Sequence, residues 1–177
     1  LRMVAELTVE IKHYDRAIHG IAERYPELEL LTAIYGVGEL SALAFLLTIE
    51  DQQRFKKSRE VGPFLGLVPG QDQSGARDVS LRITKEGDRT VRALLVQCAH
   101  CILRPGAPDS DLRRWARSKL EQRQREAERN GLKKDPGKKR VLVAVARRLA
   151  VLMHHLWATG EVYDPLYQAK AHTRQAA

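Results

Sequence analysis

The sequence predicts a mainly α-helical domain, and three observations carry that expectation. Apolar residues recur at helical spacing through most of the chain. Breakers stand between those segments at helix-length intervals: Pro26, Gly36-Val37-Gly38, Arg104-Pro105-Gly106-Ala107-Pro108, Asn130-Gly131 and Gly160. Extended character is confined to Val79–Thr84, which reads as a short strand or an extended turn. With 44% hydrophobic and 29% charged residues in 177, the chain holds enough apolar matter for one core and mixes its charges too evenly for disorder.

Taken in order, residues 1–26 place Val4, Leu7, Ile11, Ile18 and Ile21 on one helical stripe, ended by Pro26. This is read as the end of a coiled connector reaching back to an absent N-terminal domain, an expectation that the opening Leu, in place of Met, supports. Residues 27–168 form the main domain and 169–177 a frayed tail. Within that domain an apolar helix leads through Gly36-Val37-Gly38 into a second apolar helix from Glu39, a helix-hairpin-helix-like element. Such a turn brings backbone N–H groups to a DNA phosphate, and the same glycines equally serve an ordinary turn that needs positive φ. Residues 51–58 read as caps and loops, and Val61–Val68 as a half-turn of helix on the core.

The polar stretch Pro69–Arg77 follows, read as a loop, with Ser74 beside Gly75 and the cation-rich run Arg82-Ile83-Thr84-Lys85-Glu86-Gly87-Asp88-Arg89 close behind. A hydroxyl nucleophile needs exposure, flexible backbone and fixed positive charge for phosphoryl oxygens, and this stretch supplies residue types for each. By itself it fits a solvated surface loop equally well. Thr90–Leu103 reads as a buried helix. Asp109 or Ser110 caps a charged helix running to Asn130, with Leu112 and Trp115 as its thin apolar face. Lys133–Arg140 reads as a basic loop, and Arg140–Ala158 as an amphipathic helix closed by Gly160.

Charge narrows the partners. The net charge is +8, yet residues 111–148 contain fourteen Lys/Arg against five Asp/Glu, so the remainder of the chain is slightly acidic. One basic surface for a polyanion follows, with Lys133, Lys134, Lys138, Lys139 and Arg140 as the leading backbone contacts. No run reads as a bilayer span, because Arg147 and Arg148 interrupt the longest apolar stretch. Cys98 and Cys101 have metal or redox spacing, but no second Cys pair completes a zinc site; they read as reduced thiols in a buried helix, in an intracellular setting.

Several segments in order carry a resemblance: Gly36-Val37-Gly38, Phe64-Leu65-Gly66-Leu67-Val68-Pro69, Ser74-Gly75, Arg82-Ile83-Thr84-Lys85-Glu86-Gly87 leading into Arg92-Ala93-Leu94-Leu95, Val143–Ala150, and Tyr163-Asp164-Pro165. Their order resembles the C-terminal domain of Piv-invertase-like insertion-sequence transposases, some of which are bridge-RNA-guided recombinases. The resemblance implies a site-specific recombinase in which an N-terminal RuvC-like domain binds Mg2+ through a DEDD carboxylate set. The C-terminal domain supplies a serine that attacks DNA and forms a transient phosphoserine. Ser74 matches that serine. Gly36, Gly38, Gly75, Arg77, Arg82, Lys85 and Arg89 join the five residues of the basic loop as candidate DNA contacts.

No cofactor is expected in this chain itself, because the carboxylates Asp51, Asp72, Asp78, Asp88 and Asp109 fall in loops without a strand framework. DNA is the implied partner in the bacterial cytoplasm, with a dimer or higher homo-oligomer; a guide RNA stays open. Two departures, Ala76 and Leu81 where glycines are usual, bear on whether this copy is active. No His lies near Ser74 in sequence, and His100, His154 and His155 fall on helical segments. Activation of the serine is therefore expected from the absent domain, and the chain alone is expected to bind DNA weakly and cleave little. The alternatives are a non-catalytic helix-hairpin-helix nucleic-acid module, with Ser74 incidental, and an assembly domain acting through the 109–131 helix.

Overall fold

The computed structural model describes residues 2–74, 77–131 and 137–170, with backbone alone for 71–74 and 77–81. It contains seven α-helices among the described residues, α1 (Arg2–Ala22), α2 (Leu28–Thr32), α3 (Glu39–Ile49), α4 (Val61–Phe64), α5 (Arg89–Leu103), α6 (Asp111–Arg129) and α7 (Lys138–Thr159), and one antiparallel pair, β1 (Pro69–Ser74) with β2 (Arg77–Ile83). The mainly α expectation holds.

Helix ends follow local chemistry. Ser110, not Asp109, is the N-cap of α6, its hydroxyl accepting from the Arg113 N–H at 3.2 Å; Asp109 instead pairs with Arg114 at 2.7 Å. The Asp88 carboxylate caps α5 by accepting from the Val91 N–H at 2.7 Å. Caps of this kind contribute about 1 kcal/mol each. Gly160, in the left-handed conformation, closes α7 as expected.

The core is built around α7. Its Val141, Val145, Leu149, Ala150, Met153 and Leu156 are buried, and it packs against α2, α4, α5 and α6. By length and composition alone α7 would pass for a membrane span, but this apolar face is the centre of the protein interior. Helix α3 is apolar on most sides and buries Ala42, Leu43, Phe45, Leu46 and Ile49 beneath α1, α2 and α5. Helix α6 contributes Leu112, Trp115 and Leu120 as partly buried packing residues. The α1 helix meets the body only near its end, through Ile18 and Ala22; Val4, Leu7, Ile11 and Tyr14 are exposed.

Three expectations change. The polar stretch before Ser74 is not a loop: residues 69–74 pair with 77–83 as a hairpin, with a register shift between Pro69 and Gln71. Asp72 and Asp78 consequently lie on strands. Lys138, Lys139 and Arg140 belong to the first turn of α7, so the basic segment is partly helical.

Candidate active-site hairpin and nucleic-acid interface

The hairpin grows from a locked root. Leu65 and Leu67 are buried in the core and anchor the chain on one side of it. Between them Gly66 turns at φ +65°, and across the root Lys85 and Gly87 take φ +60° and +81°. A Cβ on Gly66 would sit 2.5 Å from the Glu86 nitrogen, and one on Gly87 would collide with the Phe64 carbonyl oxygen, so glycine is required at both. The Thr84 N–H donates to the Val68 carbonyl at 2.9 Å, the Lys85 N–H to the Gly66 carbonyl at 3.2 Å, and Arg92 Nη1 to the Leu65 carbonyl at 3.2 Å. The two segments that looked like separate motifs in sequence, 64–69 and 82–87, are thus the two sides of one clamp.

From that clamp the strands run to Ser74, the last residue of β1, paired with Arg77, the first of β2. Six residues at about 3.3 Å each span roughly 20 Å, so Ser74 stands well away from the root. Gly75 and Ala76, like Lys133 and Lys134, lie outside the described residues. Leu81 is described by its backbone, within β2. Arg82, Lys85 and Arg89 are exposed around the root, and none is ion-paired among the described residues. Lys138, Lys139 and Arg140 are likewise exposed and without an ion pair among the described residues, at the start of α7, where three cations sit unfavourably on a helix N-terminus.

The Gly36-Val37-Gly38 turn is elsewhere. Gly36 has φ +91° and faces α5, where a Cβ would lie 3.1 Å from both Cys101 Cβ and the Cys98 carbonyl oxygen. Packing and backbone conformation account for this glycine. Gly38 is exposed and precedes α3, with Glu39 held by His19 at 3.0 Å. Between the part of α5 that meets Gly36 and the part that meets the hairpin root are about nine residues, roughly 14 Å of helix. The expected site residues therefore fall into three places: the hairpin, the Gly36–Gly38 turn, and the start of α7.

Among the described residues no three His, Cys, Asp or Glu side chains converge to hold a metal. Asp51 caps a 3-10 turn at Gln52–Arg54, Asp88 caps α5, and Asp109 is bound to Arg114, which holds its carboxyl below the usual range. The described residues do not fit a carboxylate-bound Mg2+. Of the histidines, His154 is buried, donating from Nε2 to the Gln52 carbonyl at 3.0 Å and accepting at Nδ1 from the Ser58 hydroxyl at 3.0 Å. Because a carbonyl can only accept, a proton sits on Nε2, and in the neutral ring that burial favours Nδ1 accepts from Ser58. Burial pushes the His154 pKa down. Arg148 lies 3.9 Å over the Trp115 ring, and Arg147, its neighbour, is exposed beside Gly62.

One group of cations escaped the sequence reading. Arg54, Lys56, Lys57 and Arg59 are all exposed and fall within six residues. Their signal was the density of charge in Arg54-Phe55-Lys56-Lys57-Ser58-Arg59, masked in the regional balance by Glu50, Asp51 and Glu60.

Residues 28–113 match the family described as Transposase IS116/IS110/IS902 family, a span from α2 through the hairpin and α5 to the first turn of α6. The chain is 30% identical over 154 residues to the transposase for insertion sequence element IS1111A of Coxiella burnetii, covering 86% of this chain and 39% of that protein. A probable family 20 transposase of Pseudomonas aeruginosa is 31% identical over 118 residues, 66% of this chain and 35% of the relative. The transposase for insertion sequence element IS1328 of Yersinia enterocolitica is 31% identical over 93 residues, 52% and 28% respectively. The chain spans at most about two fifths of the length of these curated relatives. The match to the IS116/IS110/IS902 transposase family thus takes in residues 28–113, with the hairpin at their centre.

Proposed function

We propose that this chain is the DNA-binding, nucleophile-bearing part of an insertion-sequence transposase acting in the bacterial cytoplasm. The observation that carries the reading is the position of Ser74: it ends a two-stranded arm whose root is locked to the helical body, with Arg77 opposite it and Arg82, Lys85 and Arg89 along the return. In this reading the Ser74 hydroxyl oxygen attacks a DNA phosphorus. An O–P bond to serine forms, the bond from phosphorus to the leaving sugar oxygen breaks, and that oxygen takes up a proton. Attack by another sugar hydroxyl reverses the step and rejoins DNA without external energy, because the phosphodiester bond is conserved in the phosphoserine.

A serine hydroxyl must lose its proton as it attacks, and a base or bound metal ordinarily takes it. We assign that role, together with the Mg2+-binding carboxylates, to a RuvC-like domain docked across the arm. The arginines and Lys85 hold phosphate by charge, without reading sequence. Lys138, Lys139 and Arg140, with Lys133 and Lys134, extend the same backbone contact along the duplex. The full protein acts as a dimer or larger assembly, and a guide RNA in place of direct base readout is compatible with this division of labour.

The test is covalent trapping. The protein comprising this chain and its carboxylate-bearing domain should give a DNA adduct on a denaturing gel, and Ser74→Ala should abolish both adduct and recombination. Unchanged recombination by Ser74→Ala would overturn the reading in favour of a non-catalytic nucleic-acid module. The chain by itself should bind duplex DNA in a salt-sensitive way and form no adduct.

A further inference from the structure

We propose that the strap formed by residues 54–59, with Arg147 beside the short helix that follows it, is a preformed contact for the phosphodiester backbone of duplex DNA. It is additional to the hairpin and to the start of α7, and it rests on the reading that this chain handles DNA. The strap sorts its side chains by face. Phe55 and Ser58 turn inward: the Phe55 ring meets Phe64 edge-on at 5.3 Å and His154 at 5.7 Å, and Ser58 donates to His154. Arg54, Lys56, Lys57 and Arg59 are left facing water.

The backbone is held at several points. The Asp51 carboxylate accepts from the Gln53 N–H at 2.7 Å, and the Gln52 carbonyl accepts from His154 Nε2 at 3.0 Å. A buried histidine with both ring nitrogens committed therefore ties this segment to α7. The Arg54 guanidinium lies 4.5 Å over the Phe64 ring. Arg147 approaches the same short helix from α7, and a Cβ on Gly62 would be 3.0 Å from its Cγ, so glycine leaves room for it.

Four like charges fixed on one short loop repel each other, and no carboxylate is ion-paired with them or with Arg147 among the described residues. Exposed cations do pair at some places, as Arg2 with Glu6 and Arg114 with Asp109, and stand without an ion pair at others among the described residues, as at Arg82 and Arg140. Repulsion within a rigid loop costs stability that a polyanion returns on binding. Ordering the strap in advance also removes part of the entropic cost of association. The strap leads into α4 (Val61–Phe64), and the chain continues from there into the hairpin root. Lysine and arginine without base-reading amides would position DNA and leave sequence unread.

The probe is a fluorescein-labelled DNA duplex of about twenty base pairs, titrated with the whole chain at several salt concentrations. The triple variant Lys56→Gln, Lys57→Gln, Arg59→Gln should weaken binding roughly tenfold or more near 0.1 M salt and lower the slope of log K against log salt by about two to three. A charge-matched control on α1, Arg2→Gln, Lys12→Gln, Arg16→Gln, should change affinity less than about threefold. The charge-keeping swap Lys56→Arg, Lys57→Arg, Arg59→Lys should bind as the parent does. Equal losses in the strap and control variants, no loss in the strap variant, or loss in the charge-keeping swap would each overturn the proposal. So would binding to an RNA duplex alone. If the parent chain binds no duplex DNA, the broader reading falls with it; if the parent binds and the strap variant is unaffected, only this inference falls.

Discussion

The backbone N–H of Lys85 donates to the carbonyl of Gly66 at 3.2 Å, and both residues hold positive φ. That bond joins the two limbs at the foot of the hairpin, so the direction of the arm is set by two turns with little conformational freedom. For a lysine, φ near +60° is an uncommon conformation, and the clamp around it must hold it there.

Substitution at the clamp should therefore be costly in a way that other positive-φ glycines are not. Gly66→Ala and Gly87→Ala combine left-handed strain with a backbone collision, for about 2–5 kcal/mol. In thermal melts this is a fall of roughly 4–20 °C. At Gly160, where a Cβ would meet nothing within 4 Å, alanine should cost only about 1–2 kcal/mol. Equal effects at all three positions would show that the clamp contributes no close packing.

Arg113 is a buried cation that works as a helix terminator. Its Nη1 donates to the carbonyls of Ile102 and Arg104, both at 2.9 Å, where α5 ends and its carbonyls lack helical partners. Arg113→Met keeps bulk and leaves those acceptors unsatisfied, so we expect a loss of about 2–4 kcal/mol by urea unfolding. A loss under about 0.5 kcal/mol would mean that water replaces the guanidinium there.

His154 makes stability depend on pH. Burial lowers its folded pKa first of all, the hydrogen bond to the Gln52 carbonyl raises it, and neighbouring His155 lowers it. The folded pKa is thus below the unfolded value of about 6.5, and the unfolded chain takes up more protons as acid is added. The stability that the neutral ring contributes is complete above about pH 6.5 and is lost as the pH falls toward the folded pKa. His154→Gln should melt lower than the parent near neutrality and lose less between about pH 6.5 and pH 5. Parallel pH profiles would exclude His154 as the source.

The two thiols should differ in reactivity. Cys98 is buried, and burial pushes its pKa up against a smaller lowering by the Ser41 side chain; Cys101 is half-buried. Alkylation of the native chain by iodoacetamide, followed by peptide mass mapping, should modify Cys101 first. Faster labelling of Cys98 would contradict its placement in the core.

Much of the helical framework was legible because its signals are local. Ser110 before a charged helix, Asn130-Gly131 after it, and Gly160 at the end of α7 each satisfy or release backbone groups within one turn, so residue identity alone announces them. The hairpin was not legible. Gln71-Asp72-Gln73-Ser74 shows no apolar alternation and reads as loop, yet it becomes a strand because Val79, Asp78 and Arg77 come back to pair with it. Gly36 illustrates another long-range term: besides its φ of +91°, it approaches Cys98 and Cys101, more than sixty residues further along.

The sequence by itself determined the helical class, most helix ends, the basic character of the 111–148 region and the ordered segments that link residues 28–113 to the IS116/IS110/IS902 transposases. The tertiary structure decided that the 64–69 and 82–87 segments form one clamp, that Ser74 ends the strand rising from it, and that His154 ties down the strap bearing Lys56, Lys57 and Arg59. The reason is one of range. Caps and periodicity depend on neighbours within a turn or two, whereas strand pairing, close glycine contacts and the burial of a neutral histidine depend on which distant residue the fold brings alongside.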